Sequence, residues 1–78
     1  MDKVLVKWHD ARFYQGTYSR QELRKNKMCL FESLGYLLKQ DKVTTIIASE
    51  VNDENQYRDI TLIPTGSIIS IQRLSEGA

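Results

Sequence analysis

The sequence has few of the residues that build covalent cross-links and metal centres. Its 78 residues include one cysteine and one histidine. A single cysteine excludes a disulfide within the chain, and one Cys plus one His cannot complete a structural zinc site of four ligands. We therefore expect no metal and no other cofactor. Because disulfides are typical of oxidising compartments, we expect the reducing cytoplasm as the location.

Long apolar runs, proline and glycine are also scarce. No run approaches the roughly 20 apolar residues of a membrane-spanning helix, and the first residues do not resemble a signal peptide. One proline and four glycines exclude collagen-like and linker-like chains, while four Tyr, two Phe and one Trp argue against disorder. The sequence is 41% hydrophobic and 27% charged, which is typical of soluble domains. We expect one domain over residues 1–78, without membrane contact.

The apolar pattern predicts a mainly β chain. Residues 3–9 alternate with a period of two, which places Val4, Val6 and Trp8 on one face of a strand. Gly35 lies in the middle of a long apolar-rich segment and indicates a bend or a bulge there. Further strands are expected over residues 28–39, 43–49, 57–63 and 68–74, with a compact turn over residues 64–67.

One short helix is expected after the first strand. Ser19 and Glu22 have the spacing of a capping box, Leu23 is the apolar anchor and Asn26 the expected C-cap, which allows a helix of at most about two turns. Short antiparallel strands with one long bent strand close readily into a small barrel, because closure removes exposed edges. We therefore predict a small five-stranded antiparallel barrel of the SH3-like or Sm-like type.

Three short motifs are spaced over nearly the whole chain. They are residues 8–11 (WHDA), 33–37 (SLGYL) and 63–68 (IPTGSI). In this pattern the chain resembles a group of small uncharacterised proteins of bacterial and phage genomes, with the motifs W-x-D-A, S-x-G-[YW]-L and I-P-x-G-x-I. It lacks the second tryptophan of that group before the helix, where it has Gly16, Thr17 and Tyr18. The resemblance implies a small SH3-like or Sm-like barrel and a phage or prophage setting.

No arrangement of side chains in the sequence points to catalysis. His9 and Asp10 are neighbours on a predicted strand, so they point to opposite faces and cannot readily act as a base and its orienting carboxylate. Neither a nucleophile elbow nor a phosphate-binding loop is present. The acidic residues are scattered over separate elements and have no metal-ligand spacing. We expect a protein that is not an enzyme, without catalytic residues or metal ligands.

Charge is distributed unevenly although the net charge is only +1. Residues 1–27 contain seven Lys or Arg against three Asp or Glu, whereas residues 28–78 contain four against seven. Arg20 and Arg24 share one face of the predicted helix. The candidate surface for phosphates and bases comprises the aromatic residues Phe13, Tyr14 and Tyr18 and the cations Arg20, Arg24, Lys25 and Lys27. A solvated helix face that simply carries positive charge explains the same pattern, and the pI of 7.9 is lower than that of typical nucleic-acid-binding domains.

Tyr36, beside Gly35, is the aromatic residue expected at a surface or an interface. Tyr14, Tyr18, Tyr36 and Tyr57, with Trp8, could also line a peptide-binding groove of the kind found on SH3-like barrels. Trp8 itself continues the face of Val4 and Val6 and is therefore expected in the core. As a third possible role, Tyr36 could hold a nucleotide between the subunits of a homo-oligomer.

These observations favour a non-enzymatic binding module, related to phages or prophages, that acts through protein–protein interaction. Two alternatives stay open: a nucleic-acid binder that uses the basic helix, and a homo-oligomer that sequesters nucleotides. The binding residues predicted across these functions are Tyr14, Tyr18, Arg20, Arg24, Lys25, Lys27 and Tyr36.

Overall fold

Five strands and one short helix make up the fold. The structure is a computed structural model, and it describes residues 1–11 and 15–75. A helix, α1 (Arg20–Leu23), follows the first strand, and a 3₁₀ turn (Thr65–Ser67) precedes the last strand. The strands are β1 (Lys3–Asp10), β2 (Cys29–Gln40), β3 (Thr44–Val51), β4 (Tyr57–Pro64) and β5 (Ile68–Leu74).

All strands belong to one antiparallel sheet in the order β4-β3-β2-β1-β5. The prediction of a mainly β domain with five antiparallel strands and one short helix after the first strand is thereby confirmed. β4 and β5 are the two edges of the sheet and are not paired with each other over the described ranges. The sheet is therefore not closed, and an SH3-like barrel stays a prediction.

β2 changes its strand partner at Tyr36. Residues 29–36 pair with β1, and residues 36–40 pair with β3, with a shift of register between Leu37 and Lys39. A Cβ atom on Gly35 would lie 2.8 Å from the carbonyl oxygen of Ala48, which is closer than real Cβ atoms approach. Any side chain here would push β3 away from β2. The close approach explains why a glycine stands at this position, two residues before the register shift of the strand.

The core lies on one face of the sheet. Val4, Val6, Ile47 and Ile63 are buried there, as the alternation in β1 predicts. Trp8 packs against this cluster, and its ring stacks on Phe31 with the centroids 5.4 Å apart. The indole Nε1 donates a hydrogen bond to Ser33 Oγ at 3.0 Å, so its only polar atom is satisfied. Leu37, Ile68 and Ile71 also pack against the cluster.

Side-chain oxygens fix the two turns that flank β3. Asp41 Oδ1 accepts hydrogen bonds from the backbone N–H groups of Thr44 and Val43. These two bonds, followed by the bond from Lys39, lower the pKa of Asp41 because they favour the charged carboxylate. At the other end, Asn52 Oδ1 accepts from two backbone N–H groups of the β3–β4 turn. Both turns are thereby held by short polar side chains.

Candidate functional site

Residues 15–28, which we call the arm, are held by local hydrogen bonds. The predicted capping box is present: Glu22 N–H donates to Ser19 Oγ at 3.2 Å, and Ser19 N–H donates to Glu22 Oε2 at 3.1 Å. The helix is short, as expected, but the predicted C-cap is wrong, because α1 ends at Leu23 and its C-cap is Arg24 instead of Asn26. Leu23 is 45% exposed and no residue of α1 is buried, so no packed apolar face extends the helix.

The arm presents its cations to solvent. Arg20, Arg24, Lys25 and Lys27 are all exposed. None of the four forms an ion pair with any described residue. Arg24 N–H donates to the carbonyl oxygen of Arg20 at 3.1 Å, which completes the single turn that the two arginines share. The structure therefore gathers the predicted cations on one exposed element.

Of the two tyrosines predicted to accompany these cations, only Tyr18 belongs to the residues that the structure describes. Tyr18 is exposed, and its hydroxyl donates to the carbonyl oxygen of Gln15 at 2.9 Å, which ties its ring to the arm. Tyr14 and Phe13 lie outside the described residues. An aromatic contribution beside the cations therefore has structural support at Tyr18, and its role in binding stays a prediction.

The sheet has a second apolar surface on the side opposite the core, which we call the outer patch. Residues paired across antiparallel strands point to the same side of a sheet. The registers connect one residue of every strand in a continuous row: Leu74, Lys3, Tyr36, Ala48 and Ile60. Leu34 and Leu62 lie next to this row on the same side and are 62% and 63% exposed. Ala48 in the row is completely buried and Tyr36 is half-buried, so the part of the patch that is open to solvent lies at Leu34, Leu62, Ile60 and Leu74.

Tyr36 occupies the centre of the outer patch. Lys3 Nζ lies 5.7 Å from the centroid of its ring, within the range of a cation–π contact. A cavity of about 320 Å³ opens beside the ring, between Lys3, Leu34, Ser49 and Leu74. Tyr36 therefore lies at the surface, since its half-buried ring borders an open cavity. A ligand that stacks on the ring would have to share it with the ammonium group of Lys3.

The predicted aromatic groove does not include Trp8. Trp8 is on the core side of β1, whereas Tyr36 pairs with Lys3 on the outer side. Tyr57 pairs with Val51 near the end of the β3–β4 hairpin and borders a different cavity of about 450 Å³. Arg58 lies there too, and its hydrogen bond to Glu50 raises the pKa of the guanidinium. Trp8, Tyr36 and Tyr57 therefore do not line one groove.

The outer patch is the feature that sequence reasoning missed. A signal for it was present, since residues 60–63 (ITLI) and 34–38 (LGYLL) are apolar with little alternation. Strands with apolar residues on both faces are typical of sheets that are covered on both sides. The pattern alone does not say which residues of different strands meet, because that depends on the register.

The described part of the chain offers few groups that could form a catalytic or metal-binding site. His9 pairs with Leu30 and Asp10 with Cys29, so the two side chains point to opposite faces as expected. No group of three or more His, Cys, Asp or Glu residues among residues 1–11 and 15–75 is placed to hold a metal ion. Over the same ranges, no helix has the length and apolar character needed to cross a membrane.

No protein family, curated protein or solved structure matches the chain. Function therefore has to be inferred from the arrangement of the chain's own residues. The resemblance to small bacterial and phage proteins stays a prediction that rests on three motifs.

Proposed function

We propose that the chain is a non-enzymatic binding module whose outer patch contacts a partner protein. The observation that supports this most directly is the set of exposed apolar residues around Tyr36 on the side opposite the core, which comprises Leu34, Ile60, Leu62 and Leu74. An antiparallel sheet with one packed face normally has polar residues on its other face. Contiguous exposed apolar surface marks interaction sites in soluble proteins. Tyr36 at the centre is of the residue type that often dominates interface energetics.

The chemistry of the outer patch indicates a partner with apolar side chains and at least one carboxylate. Lys3 forms no ion pair with a described residue, although Asp2 and Lys7 nearby are both paired. A carboxylate of the partner could therefore reach Lys3 without displacing an existing pair. Charge complementarity of this kind steers association and fixes the orientation of the complex.

The fold proposed for this module is the SH3-like or Sm-like small barrel. Three features support it: the strand order with β4 and β5 at the edges, the register shift of β2 between Leu37 and Lys39, and the 3₁₀ turn between β4 and β5. The phage or prophage setting follows from the three sequence motifs alone. A cytoplasmic location follows from the single cysteine.

The experiment compares Leu34→Asp, in the outer patch, with Val43→Asp as the matched control. Val43 is 76% exposed and lies in the turn between β2 and β3, so both variants place a carboxylate at an exposed apolar position. The tagged wild type and both variants are used to capture proteins from a lysate of the organism that encodes the chain. Thermal unfolding establishes that all three proteins are folded.

A captured protein is then purified and titrated against the three proteins. We expect Leu34→Asp to weaken its binding at least about tenfold, which corresponds to about 1.4 kcal/mol, because the variant buries an unpaired carboxylate in an apolar contact. Val43→Asp should bind like the wild type. The absence of any retained protein, or binding that Leu34→Asp leaves unchanged, would contradict the proposal.

Nucleic-acid binding through the arm is a second candidate function. It is favoured by the four exposed cations that lack ion pairs with described residues and by Tyr18 on the same arm. A labelled single-stranded oligonucleotide should then bind with a logarithmic salt slope of about −0.7 per phosphate contact. The double variant Arg20→Glu, Arg24→Glu should lose binding, and Lys42→Glu, outside the arm, should retain it. No binding at low salt would remove this function.

A further inference from the structure

An aromatic pair lies near the point where the arm continues into the sheet. Phe31 is 43% exposed, and its ring stacks on Trp8 with the centroids 5.4 Å apart and an angle of 27° between the planes. The indole Nε1 of Trp8 donates to Ser33 Oγ, and the ring packs against the core cluster, so the position of Trp8 is fixed. Phe31 therefore rests on a fixed ring and is itself partly open to solvent. We call Trp8 and Phe31 the aromatic stack.

The segment of β2 that contains Phe31 is paired on one side only. Residues 29–35 pair with β1 alone, because the described pairs between β2 and β3 begin at Tyr36. Phe31 meets Trp8 across the β1–β2 ladder, and no described strand is paired with its other side. A ring that is supported by a second ring and left uncovered by a neighbouring strand offers a surface on which a planar group can stack.

The cations of the arm lie close to the aromatic stack along the chain. Lys27, the last of the four exposed cations, is four residues before Phe31. Four extended residues span at most about 14 Å, so the Cα atoms of Lys27 and Phe31 cannot lie farther apart than this. Glu22 is the one acidic residue of the arm, and its carboxylate accepts a hydrogen bond from the Ser19 N–H group. The arm therefore presents a surplus of positive charge near the aromatic stack.

The aromatic stack itself carries no charge. The next pair on the same side of the β1–β2 ladder is Asp10 with Cys29, and Asp10 forms no ion pair with a described residue. A carboxylate at this position repels phosphate, whereas the arm attracts it. The charges therefore favour a ligand that places an uncharged planar group on the aromatic stack and its phosphates on the arm.

We propose that the aromatic stack and the arm form one site for single-stranded nucleic acid, in which a base stacks on Phe31 while the cations of the arm contact the phosphates. Aromatic rings beside a cationic surface are the arrangement by which proteins bind single strands without sequence preference. The proposal rests on the nucleic-acid function of the arm and adds to it the residue that contacts a base.

Fluorescence anisotropy with two labelled single strands tests the base contact on the full chain. One strand is oligothymidylate, and the other has the same length and charge but no bases. Because both strands present the same phosphates, a stacked base should make oligothymidylate bind at least about fivefold more tightly. Equal affinities would overturn the base contact and leave the phosphate contacts of the arm in place. No binding of either strand at low salt would remove the site together with the nucleic-acid function.

Two substitutions of Phe31 separate its ring from its apolar character. Phe31→Leu should weaken oligothymidylate binding at least about fivefold, with no effect on the strand without bases and no change in the salt slope, which reports phosphate contacts. Phe31→Tyr keeps the ring and should bind like the wild type. Tyr57→Leu is the matched control and should also bind like the wild type, because Tyr57 is 39% exposed and lies near the end of the β3–β4 hairpin.

Thermal unfolding establishes that these variants are folded. Should Phe31→Leu fail to fold, the comparison of the two strands on the wild type decides the question. Oligothymidylate binding that Phe31→Leu leaves unchanged, or that Tyr57→Leu weakens equally, would overturn the inference. A Phe31→Leu variant that loses a captured partner protein but binds oligothymidylate like the wild type would also overturn it and would assign the aromatic stack to the protein contact.

Discussion

The sheet and the arm are ordered by different kinds of interaction. In the sheet, Val4, Val6 and Ile63 are completely buried, and strand pairing joins residues that are distant in sequence. In the arm, the hydrogen bonds around α1 join residues three or four positions apart, and no residue of α1 is buried. Apolar burial therefore stabilises the sheet, whereas capping holds the arm. The arm should open locally without unfolding the sheet.

The largest difference between the two regions should appear when a leucine or isoleucine is truncated in each. Ile63→Ala removes a buried side chain from the core and should cost about 2–5 kcal/mol in the free energy of unfolding. A domain of this size without cross-links has only about 3–5 kcal/mol of net stability, so much of the variant should be unfolded at 25 °C. Urea unfolding followed by circular dichroism measures the loss.

The matched truncation in the arm is Leu23→Ala. Leu23 is 45% exposed on a helix without buried residues, so its truncation should change the free energy of unfolding by less than about 0.5 kcal/mol. Equal losses for Ile63→Ala and Leu23→Ala would mean that the arm packs against the sheet, which contradicts the separation of the two regions.

Within the sheet, glycine substitution should separate the close approach of β2 and β3 from ordinary exposed backbone. Gly35→Ala forces a Cβ to within 2.8 Å of the Ala48 carbonyl oxygen, and overpacking of this kind costs about 1–3 kcal/mol. Gly66→Ala is the control, because its Cβ would have no heavy atom within 4 Å. The midpoints of thermal unfolding compare the two variants. A Gly35→Ala protein as stable as Gly66→Ala would show that β3 can move away without cost.

Those parts of the fold that depend on local sequence patterns could be predicted from the sequence, and those that depend on distant contacts could not. The strands of the sheet could be predicted because alternation in β1 and β-branched residues in β3 are local patterns with a clear period. The capping box of Ser19 and Glu22 was equally local. The residue at which α1 ends could not be predicted, because the end of a helix of this size depends on tertiary packing, and the exposed Leu23 supplies none.

The candidate site was predictable only in part for the same reason. The cations of the arm are neighbours in sequence, so their common location could be predicted from spacing alone. The row through Leu74, Lys3, Tyr36, Ala48 and Ile60 depends on four strand registers. A shift of one residue in any register would move that strand's side chains to the other face. The outer patch therefore became visible only with the pairing of the strands.

Removal of the helix cap should affect the arm and spare the sheet. Ser19→Ala deletes the acceptor of the Glu22 N–H group, which should destabilise α1 by about 1 kcal/mol. We expect faster hydrogen exchange at the Leu23 and Arg24 N–H groups, which donate to Ser19 and Arg20 carbonyls. Urea unfolding of the sheet should stay unchanged. Thr17→Ala, just outside the cap, is the control, and faster exchange throughout the sheet of Ser19→Ala would contradict the local role of the arm.

The smallest effect is expected at Asp41, where the pH dependence of the sheet can be traced to one turn. The hydrogen bonds from Thr44 and Val43 lower the pKa of Asp41 in the folded state below its ordinary value of 3.8. A carboxylate with a lowered folded-state pKa contributes stability above its unfolded pKa, and this contribution is lost as the pH falls through the folded pKa. The wild type should therefore be more stable than Asp41→Asn at neutral pH, and the difference should disappear as the pH falls below 3.8.

Urea midpoints of the two proteins at neutral and acidic pH measure this difference. Asp53→Asn in the β3–β4 turn is the control, because the turn's backbone N–H groups donate to Asn52 and not to Asp53 within the described residues. The amide of Asp41→Asn can still accept from the Val43 and Thr44 N–H groups, so the turn keeps its shape and only the charge is removed. A stability difference that persists unchanged into acid, where both side chains are uncharged, would contradict the assignment of this stability to the charge of Asp41.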